Sequence, residues 1–440
     1  MNLTRRAALL GLPLTLAGCS VFDSILSDNK AKLSGKREAI LGGRGGGASA
    51  DTVSTRAVVV PPPVQVAAWT EVGGNATHAS GNIAVTGLNP AWTADIGAGG
   101  GYRARLTSQP LVLNGTVYAM DSNGTVSAFD LANGSRRWRT STEADDNRST
   151  NIGGGIAIEN GRVYATTGRG EALALEADSG RIVWRKEIGV PARSGPTLSN
   201  NRMHFTTIDD QLIALSLPTG ERAWGYSANN SSTTVLTDAA PAISDGFVVA
   251  GFGSGELIAI RADSGVLAWS DTLASSRGRN SSVDLSAIRA LPVIDRGRVY
   301  AIGIGGLIVS LDLRTGRRLW EREIGGGQTP WIAGDWLFVQ SSGQALTAIS
   351  VDDGRIRWTQ DLPRWDDPAK QRDPIFWSGP LMANGKLVLA GNSQIAVSVN
   401  PIDGRILGTQ TMSSSVSVAP VAASGTVLIL CDDGTLQAFR

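Results

Sequence analysis

Few side chains in this 440-residue chain are placed to carry out chemistry. The two histidines, His78 and His204, have no cluster of cysteine, histidine or carboxylate residues around them at ligand spacing, so the sequence predicts neither a zinc nor an iron site. With two scattered histidines and no Gly-x-Ser-x-Gly sequence, a Ser/His/Asp triad is not expected either. The Asp-Asp-Gly sequences at 352–354 and 432–434 resemble parts of calcium loops, but Asp-Gly is equally the chemistry of a tight turn. We therefore expect no catalytic residue, no metal and no cofactor.

The glycines and tryptophans form a repeat that organises most of the chain. In Ala259–Trp269 an apolar strand ends, a Ser-Gly turn follows, and a Trp lies four residues after the Gly. A small polar residue before Gly favours a tight hairpin turn, because both tolerate positive φ. A seventh copy keeps the turn but has Gly408 in the place of the Trp. The six tryptophans in this pattern are Trp138, Trp184, Trp224, Trp269, Trp320 and Trp358.

A second turn and an apolar run precede each Gly-x-x-x-Trp, with a period of about 40–50 residues. Each unit predicts four short antiparallel strands joined by tight turns, which is one blade of a β-propeller. The Trp lies on the fourth strand of its unit. We interpret it as a wedge between blades, because a residue that recurs with a repeat usually serves the repeat; the alternative is a stacking platform for a ligand.

The number of units predicts an all-β, eight-bladed propeller with four antiparallel strands per blade over residues 84–440. Seven units are complete, and the eighth ends at Arg440 after three strands. The segment Leu88–Gly97 resembles a fourth strand, so we predict that it completes the last blade and that Trp92 is its wedge residue. Closure of this kind removes the two free sheet edges that an open array would expose.

The start of the chain has the features of a secreted protein. Residues 1–18 are predicted to be a signal peptide, since Arg5 and Arg6 precede an apolar segment that is too short to span a bilayer. Whether export uses the general secretory or the twin-arginine route stays open. The segment Leu16–Cys19 resembles the lipobox of bacterial lipoproteins. This resemblance implies a lipid on Cys19 and, with Ser20 next to it, sorting to the outer membrane.

Residues 19–83 are expected to comprise the lipidated Cys, a Gly- and Pro-rich tether and a lead-in to the propeller. The Gly-rich stretch at 42–47 predicts a flexible linker, and the three prolines at 61–63 predict a stiffer spacer. The net charge is +1 and no basic stripe is present, so a nucleic-acid partner is not expected. Cys431, in the last blade, is predicted to be a buried thiol.

The links between blades differ in length, and long links on one face of a repeat ring usually mark its binding face. The links after Trp224 and Trp269 are long and supply the first set of predicted partner-binding residues. The link after Trp358 supplies a second-ranked set, with residue types that are frequent at binding hot spots. The first set is Val235, Leu236, Asp284, Leu285, Ile288 and Arg289, and the second is Arg364, Trp365, Arg372 and Trp377. An alternative for the apolar members is that they only fix the links to the ring.

The repeat Ala-x-Asp-x-x-x-Gly-x-x-x-Trp, as in Ala128–Trp138, resembles that of the pyrroloquinoline-quinone dehydrogenases, which are also eight-bladed. Those enzymes are longer, and their insertions carry a vicinal cysteine pair, calcium ligands and a catalytic Asp. This chain has no adjacent cysteines and no insertion of that size. The resemblance therefore supports the architecture, and a quinoprotein dehydrogenase-like enzyme is kept as an alternative function.

The combination of lipobox, tether and compact eight-bladed propeller resembles the BamB family of outer-membrane assembly lipoproteins. The sequence Gly73-Gly74-Asn75 is similar to the alphaproteobacterial branch of that family. The resemblance implies a non-catalytic scaffold of the β-barrel assembly machinery, a monomer within its complex, that is lipid-anchored at the periplasmic face of the outer membrane. It also implies binding to the periplasmic part of the barrel protein BamA through the loops that hold the first set. The family has an Arg in the first loop and acidic residues in the second, where this chain has Asp238 and Arg289. A periplasmic binding or sensor propeller is a further alternative.

Overall fold

The structure is a computed structural model that describes residues 49–51, 56–101, 104–144, 150–228, 239–273 and 287–440. In these ranges the chain is built from β-strands, and no helix in them has the length and apolar character that crossing a membrane requires. The described strands form eight four-stranded antiparallel sheets and one separate two-stranded hairpin. The predicted all-β fold with eight blades is confirmed.

The first four blades each follow the order of the chain. Blade 1 contains β2 (Leu111–Leu113), β3 (Thr116–Met120), β4 (Val126–Asp130) and β5 (Arg136–Thr140). Blade 2 contains β6 (Gly154–Glu159), β7 (Arg162–Thr167), β8 (Glu171–Glu176) and β9 (Ile182–Glu187). Blade 3 contains β10 (Thr197–Ser199), β11 (Arg202–Thr206), β12 (Gln211–Ser216) and β13 (Arg222–Ser227). Blade 4 contains β14 (Ala242–Ser244), β15 (Phe247–Gly251), β16 (Glu256–Arg261) and β17 (Leu267–Thr272).

The next three blades have the same order, and the last takes its outer strand from the start of the propeller. Blade 5 contains β18 (Val293–Asp295), β19 (Arg298–Ile302), β20 (Ile308–Asp312) and β21 (Arg318–Arg322). Blade 6 contains β22 (Trp331–Ala333), β23 (Trp336–Gln340), β24 (Ala345–Ser350) and β25 (Ile356–Asp361), and the hairpin of β26 (Trp365–Asp367) and β27 (Arg372–Pro374) follows it. Blade 7 contains β28 (Trp377–Ala383), β29 (Lys386–Gly391), β30 (Ile395–Val399) and β31 (Ile406–Thr411). Blade 8 contains β32 (Val421–Ala423), β33 (Thr426–Leu430), β34 (Thr435–Phe439) and β1 (Pro90–Asp95).

The order of the strands determines their burial. The first strands of neighbouring blades approach one another, so they lie innermost. In blade 1 the second and third strands are buried almost throughout, whereas β5 alternates between exposed and partly buried residues. The core therefore consists of apolar layers between neighbouring sheets. The turns are tight: Asn114 (φ 50°) and Gly115 (φ 71°) join β2 to β3 with positive φ at both positions, as a type I′ turn requires.

A bulge in the pairing places the wedge tryptophans. In blade 1, Ala128 pairs with Trp138 but Phe129 pairs with Arg136, so one residue of β5 is left over beside the Trp. A bulge of this kind re-aims the side chain next to it. The Trp138 ring then reaches blade 2, where its Nε1 donates to the carbonyl of Ala177 at 2.8 Å. The same register shift occurs at the outer strand of every blade.

The seven predicted wedge tryptophans all make this contact with the following blade. Each ring packs against the turn Gly of that blade, where a Cβ would come within 2.4–2.9 Å of the indole or of a side chain beside it. The Nε1 donors and carbonyl acceptors are Trp92 to Leu131, Trp138 to Ala177, Trp184 to Leu217, Trp224 to Ala262, Trp269 to Leu313, Trp320 to Val351 and Trp358 to Pro401. The glycine is therefore required twice, for the positive φ of the turn and for the space that the indole fills.

The strand β1 lies where the sequence places the closing strand. It pairs antiparallel with β34, with Trp92 opposite Ala438 and Asp95 opposite Thr435. Trp92 then contacts blade 1, as the other wedge residues contact their neighbours. Each described blade is thus covered on both sides, which leaves no first or last sheet with an uncovered apolar face.

Residues 64–86, which we call the collar, pass all eight blades in order at their first strands or at the turn that follows. The hydrogen bonds join Trp69 to Val112, Thr70 to Ile158, Glu71 to Leu198, Ala76 to Ile243, Thr77 to Ile294, Gly81 to Trp331, Ile83 to Met382 and Thr86 to Gly425. The ring of Trp69 stacks on that of Trp331, with centroids 6.5 Å apart. Both indoles are buried, so the collar closes the centre of the propeller on one face.

Candidate partner-binding face

The collar leaves one face of the propeller open. Most of its backbone hydrogen bonds go to the middle or the end of the first strands or to the turn that follows, whereas the links between blades lead into the beginnings of those strands. Because all eight blades have the same topology, the links emerge together on the face opposite the collar. We call this surface the link face, and we use residues that precede each first strand, such as 287–291 and 362–376, to define it.

The described end of the link between blades 4 and 5 is held firmly. The Ile288 side chain is fully buried and packs against Gly251, where a Cβ would lie 2.4 Å from it. The Ile288 N–H donates to the carbonyl of Phe252 at 3.0 Å, and the Ile304 N–H donates to that of Ala287 at 3.0 Å. Ile288 therefore anchors the link, which is the alternative that the sequence left open for its apolar members.

Arg289 is the predicted residue whose side chain remains available on this link. It is partly buried, lines the mouth of the central channel, and its Cδ lies near Gly327 in the next link. Within the described residues its guanidinium has no ion pair. A half-buried Arg is a typical hot-spot group, because part of its desolvation cost is already met before a partner binds.

A buried ion pair that sequence reasoning missed supports the same region. The guanidinium of Arg193 lies 3.3 Å from the carboxylate of Asp210, and both residues are at most 5% exposed. Asp210 also accepts the N–H of Gly253 in blade 4 at 2.9 Å, and Arg193 contacts the carbonyl of Ile288 at 3.5 Å. The pair therefore connects blades 3 and 4 to the link that carries Arg289. One Arg among many in the sequence gave no signal of this role.

Val235, Leu236, Asp284 and Leu285 lie outside the described residues, as does the predicted lipid-attachment residue Cys19. The positions of their side chains on the link face thus stay predictions.

The second set lies on and beside the hairpin β26–β27, an element that the sequence analysis did not predict. Trp365 pairs with Pro374, and the exposed Arg372 is on the opposite strand. Arg364 is bound to Asp361 at 2.7 Å. Trp377 is 2% exposed and donates to the carbonyl of Pro363, so it anchors the hairpin from inside blade 7 and cannot itself meet a partner.

Phe376 is an exposed aromatic residue that the sequence analysis overlooked. Its side chain is 59% exposed beside the hairpin, while its N–H donates to Asn392 at 2.8 Å. Asn392 also donates to the carbonyl of Pro374, so the base of the hairpin is held from both sides. A rigidly mounted, solvent-exposed ring suits an interface anchor, because little conformational entropy is lost when it binds.

The central channel offers little space for a cofactor. Between the collar and the link face lies a cavity of about 60 Å³, lined by Trp69, His78 and Arg289 among others. Pockets that hold drug-sized molecules usually measure about 300–1,000 Å³. In the part of the chain that the structure describes, no group of three or more metal-ligating side chains occurs. The geometry is that of a plugged axis with an open polar mouth.

Two buried titratable groups lie in the collar. Burial raises the pKa of Glu71 from its ordinary 4.5 to about 8, although the Leu198 N–H donates to its carboxylate at 2.8 Å and opposes that shift. Because the pKa of Glu71 is higher in the folded than in the unfolded chain, the folded chain holds one more proton than the unfolded chain between pH 4.5 and about 8. Stability contributed by this group is therefore present below pH 4.5 and is lost as the pH rises through 8.

The pKa values of the two histidines shift in the opposite direction to that of Glu71. Burial lowers the pKa of His78 from 6.5 to about 4, and its Nδ1 lies 2.7 Å from the carbonyl of Pro292. Burial likewise lowers the pKa of His204 to about 4; this residue packs against Trp224 in blade 3, at the position that Tyr118 has in blade 1. Both are neutral structural residues, and acidification from pH 6.5 towards 4 is expected to destabilise the fold.

The family model described as outer membrane protein assembly factor BamB matches residues 72–153 and 122–360, which together span more than half of the chain. The chain belongs to the BamB family. This confirms the resemblance found in the sequence, while the assignment to the alphaproteobacterial branch stays a prediction. Membership of an assembly-factor family also supports the prediction that the chain is not an enzyme.

Individual members of the BamB family match over most of the chain. The protein of that name from Yersinia pestis is 29% identical over 356 residues, which cover 79% of this chain and 88% of the relative. The one from Escherichia coli strain K12 is 27% identical over 357 residues, with the same coverage. Both are named outer membrane protein assembly factor BamB.

Solved structures show the same fold. The crystal structure of BamB from Moraxella catarrhalis has a TM-score of 0.67 at 17% identity and covers 80% of this chain and 99% of its own. The quinohemoprotein alcohol dehydrogenase from Comamonas testosteroni has a TM-score of 0.65 at 12% identity, with 84% and 80% covered. At these identities the likeness concerns the fold alone, so the similarity to an enzyme carries no catalytic function with it.

Proposed function

We propose that this chain is a non-catalytic scaffold of outer-membrane protein assembly, and that its link face binds the periplasmic part of a BamA-like barrel protein. The observation that carries the proposal is the collar, because it bonds to all eight blades on one face and leaves the link face open to a partner. Among the described residues of the link face, the guanidinium of Arg289 is partly exposed and the ring of Phe376 is exposed. One cationic and one aromatic anchor suit a protein partner better than a small-molecule substrate.

The buried pair of Arg193 and Asp210 supports the same proposal. It holds the link that carries Arg289 against blades 3 and 4, so the contact surface is ordered before the partner arrives. Preorganisation of this kind increases affinity, because less conformational entropy is lost on binding. In this proposal Leu236, whose sequence position falls in the link between blades 3 and 4, also contacts the partner.

The test is capture of the purified periplasmic part of the BamA-like protein on the immobilised full chain, with the dissociation constant measured for each variant. Arg289→Ala, Phe376→Ala and Leu236→Ala are each expected to weaken binding by at least about 1 kcal/mol, roughly fivefold. Arg317→Ala and Val266→Ala are matched controls, since both residues are exposed in turns on the collar face. Unchanged affinity in all three test variants, with the partner still captured, would place the interface elsewhere.

We further propose that residues 1–18 are removed as a signal peptide, that Cys19 carries the lipid, and that residues 20–83 connect the lipid to the propeller 84–440 at the periplasmic face of the outer membrane. The lipobox-like sequence supports this, and several acyl chains would hold the protein firmly where a single chain would not. Cys19→Ser is expected to move the protein from the membrane fraction to the soluble periplasmic fraction. Retention of the variant in the membrane fraction, with the partner absent, would contradict the anchor.

A further inference from the structure

The boundary between blades 7 and 8 lacks the indole that fills the other seven. Across blade 1 the row of paired residues is Tyr118, Ala128 and Trp138, and their side chains face blade 2. The equivalent row in blade 7 is Val388, Ser398 and Gly408. Gly408 follows the same bulge as the tryptophans, and a Cβ added there would meet only Ser398 Oγ, at 3.8 Å. The row in blade 7 therefore holds no aromatic side chain, whereas the row in every other described blade holds a Trp.

The opposite side of this boundary is altered as well. In the other blades a turn Gly receives the indole of the preceding blade, as Gly134 receives Trp92. The strand pairing shows which residue takes the place of this Gly in blade 8. In blade 1, Gly134 lies two residues before Arg136, which pairs with Phe129. In blade 8, the residue equivalent to Arg136 is Pro90, which pairs with Phe439. The residue two positions before Pro90 is Leu88. At this boundary Gly408 stands where the other blades have Trp, and Leu88 stands where they have the turn Gly. One Leu side chain does not fill the volume of an indole.

A cavity of about 220 Å³ remains between the two blades. Its walls include the buried Val388 of blade 7 and the buried Ile429 and Phe439 of blade 8. The outer strand beside it is exposed from Leu407 to Thr411, so solvent molecules can reach the cavity from the rim. An apolar cavity of about 150 Å³ inside a protein is enough to bind benzene, so this space accommodates an aromatic ring.

We propose that this cavity is a binding pocket for one aromatic ring supplied by another molecule. The first argument is internal to the fold: at seven equivalent boundaries the space beside the bulge holds an indole, and here the described part of the chain supplies none. The second is the lining, which is apolar apart from Ser398 and a few polar residues at the rim. Neither Arg289 nor Phe376 lines this pocket, so it does not depend on the proposed partner interface.

Lys386 specifies the ligand further. It is exposed, and it is the one charged residue among those that line the pocket in the described chain. An ammonium at the rim favours a ring that has a carboxylate nearby. The ligand class is therefore an aromatic ring beside an acidic group, either as a small aromatic acid or as a side chain of a polypeptide.

The experiment titrates the folded full chain with N-acetyl-L-tryptophan and with its neutral amide, followed by ligand-observed NMR. We expect a dissociation constant on the order of a millimolar for the acid. The amide should bind about two- to fivefold more weakly, and Lys386→Gln should remove that difference. No binding of either compound to the folded chain at 10-fold this concentration, on the order of 10 mM, would overturn the pocket.

Refilling the pocket provides the decisive variants. The double variant Leu88→Gly with Gly408→Trp restores the pair found at the other boundaries and should weaken binding at least tenfold. Val388→Tyr restores the ring found at Tyr118 and should have the same effect if the double variant does not fold. Val249→Tyr is the matched control, because it makes the same change in blade 4, where Trp269 already fills the boundary. Binding to a folded refilled variant with wild-type affinity would overturn the proposal.

A further arm identifies the source of the ring. An extended heptapeptide with a central Trp-Glu sequence is compared with the free acid and with the same peptide carrying Ala in place of Trp. Tighter binding of the Trp peptide supports a polypeptide ligand, and equal or weaker binding supports a small aromatic acid. Equal binding of the Ala and Trp peptides would contradict recognition of a ring.

Discussion

Replacing Trp92 with Ala tests whether the strand before the first blade holds the ring together. The Trp92 indole is partly buried between blades 8 and 1, donates to the carbonyl of Leu131 at 2.9 Å, and packs against Gly134. A buried Trp removes about 150–250 Å² from solvent, and the lower value, taken because Trp92 keeps an exposed edge, corresponds to about 4 kcal/mol as an upper estimate. The lost hydrogen bond adds about 1 kcal/mol. We therefore expect the free energy of unfolding to fall by about 3–5 kcal/mol.

The assay is equilibrium unfolding in urea, followed by circular dichroism so that the change in tryptophan content does not affect the signal. Trp184→Ala is the internal comparison, because Trp184 is also partly buried and donates to Leu217 at 2.9 Å within the ring. Trp365→Ala is the second comparison, since this partly buried Trp lies in the hairpin β26–β27 and not between two blades. Trp365→Ala should lower the free energy of unfolding by no more than about 1 kcal/mol.

The two comparisons decide the result. If the ring is closed, Trp92→Ala and Trp184→Ala each remove one wedge residue and should lower the free energy of unfolding by similar amounts. A cost for Trp92→Ala no greater than that for Trp365→Ala would refute the closure, because it would mean that the contact between blades 8 and 1 contributes little to folding.

Three further predictions concern the collar, the buried ion pair and the turns. Glu71→Gln should stabilise the protein by on the order of a few kcal/mol at pH 9 and hardly at pH 4, because the carboxyl must ionise at a cost only in the upper part of this range; urea unfolding at both pH values measures this, and equal effects would contradict the raised pKa. Arg193→Met should cost about 3–5 kcal/mol, because it leaves the carboxylate of Asp210 buried without its cation, and adding Asp210→Asn should recover part of the loss; a double variant no more stable than the single one would argue against the pair. Gly265→Ala should cost more than Gly161→Ala in the same assay: both have φ of 73°, but a Cβ meets the neighbouring indole at 2.8 Å only at Gly265. Similar costs would show that strain alone requires the glycine.

The architecture was readable from the sequence because each blade carries the same local signals. A small polar residue followed by Gly, as at Gly265, recurs in seven units, and a Trp lies four residues later in six of them, so a single interpretation accounts for the whole ring. The strand around Trp92 could be recognised by the same criteria, although it pairs with residues more than 300 positions away. Such long-range pairing is normally invisible in one sequence, but a repeat shows which strand is missing and what it must look like.

The binding residues were less predictable, because residue type does not show which way a side chain faces. Ile288 and Trp377 looked like contact residues, but the structure buries both as anchors of their links. Phe376, one residue before Trp377, is the exposed ring. In an extended chain successive side chains point to opposite sides, so a shift of one residue separates an anchor from a contact residue.

The sequence by itself determined the β-propeller, the number of its blades and the position of the wedge residues, because these depend on turns and strands that are local and repeated. Only the tertiary structure decided how the collar closes one face, how Arg193 and Asp210 meet inside the ring, and how Gly408 leaves a cavity beside Leu88. These features arise where segments distant in the chain come together, and they depend on the direction and volume of individual side chains. Repetition reveals the common blade, whereas function depends on the places where one blade differs from the others.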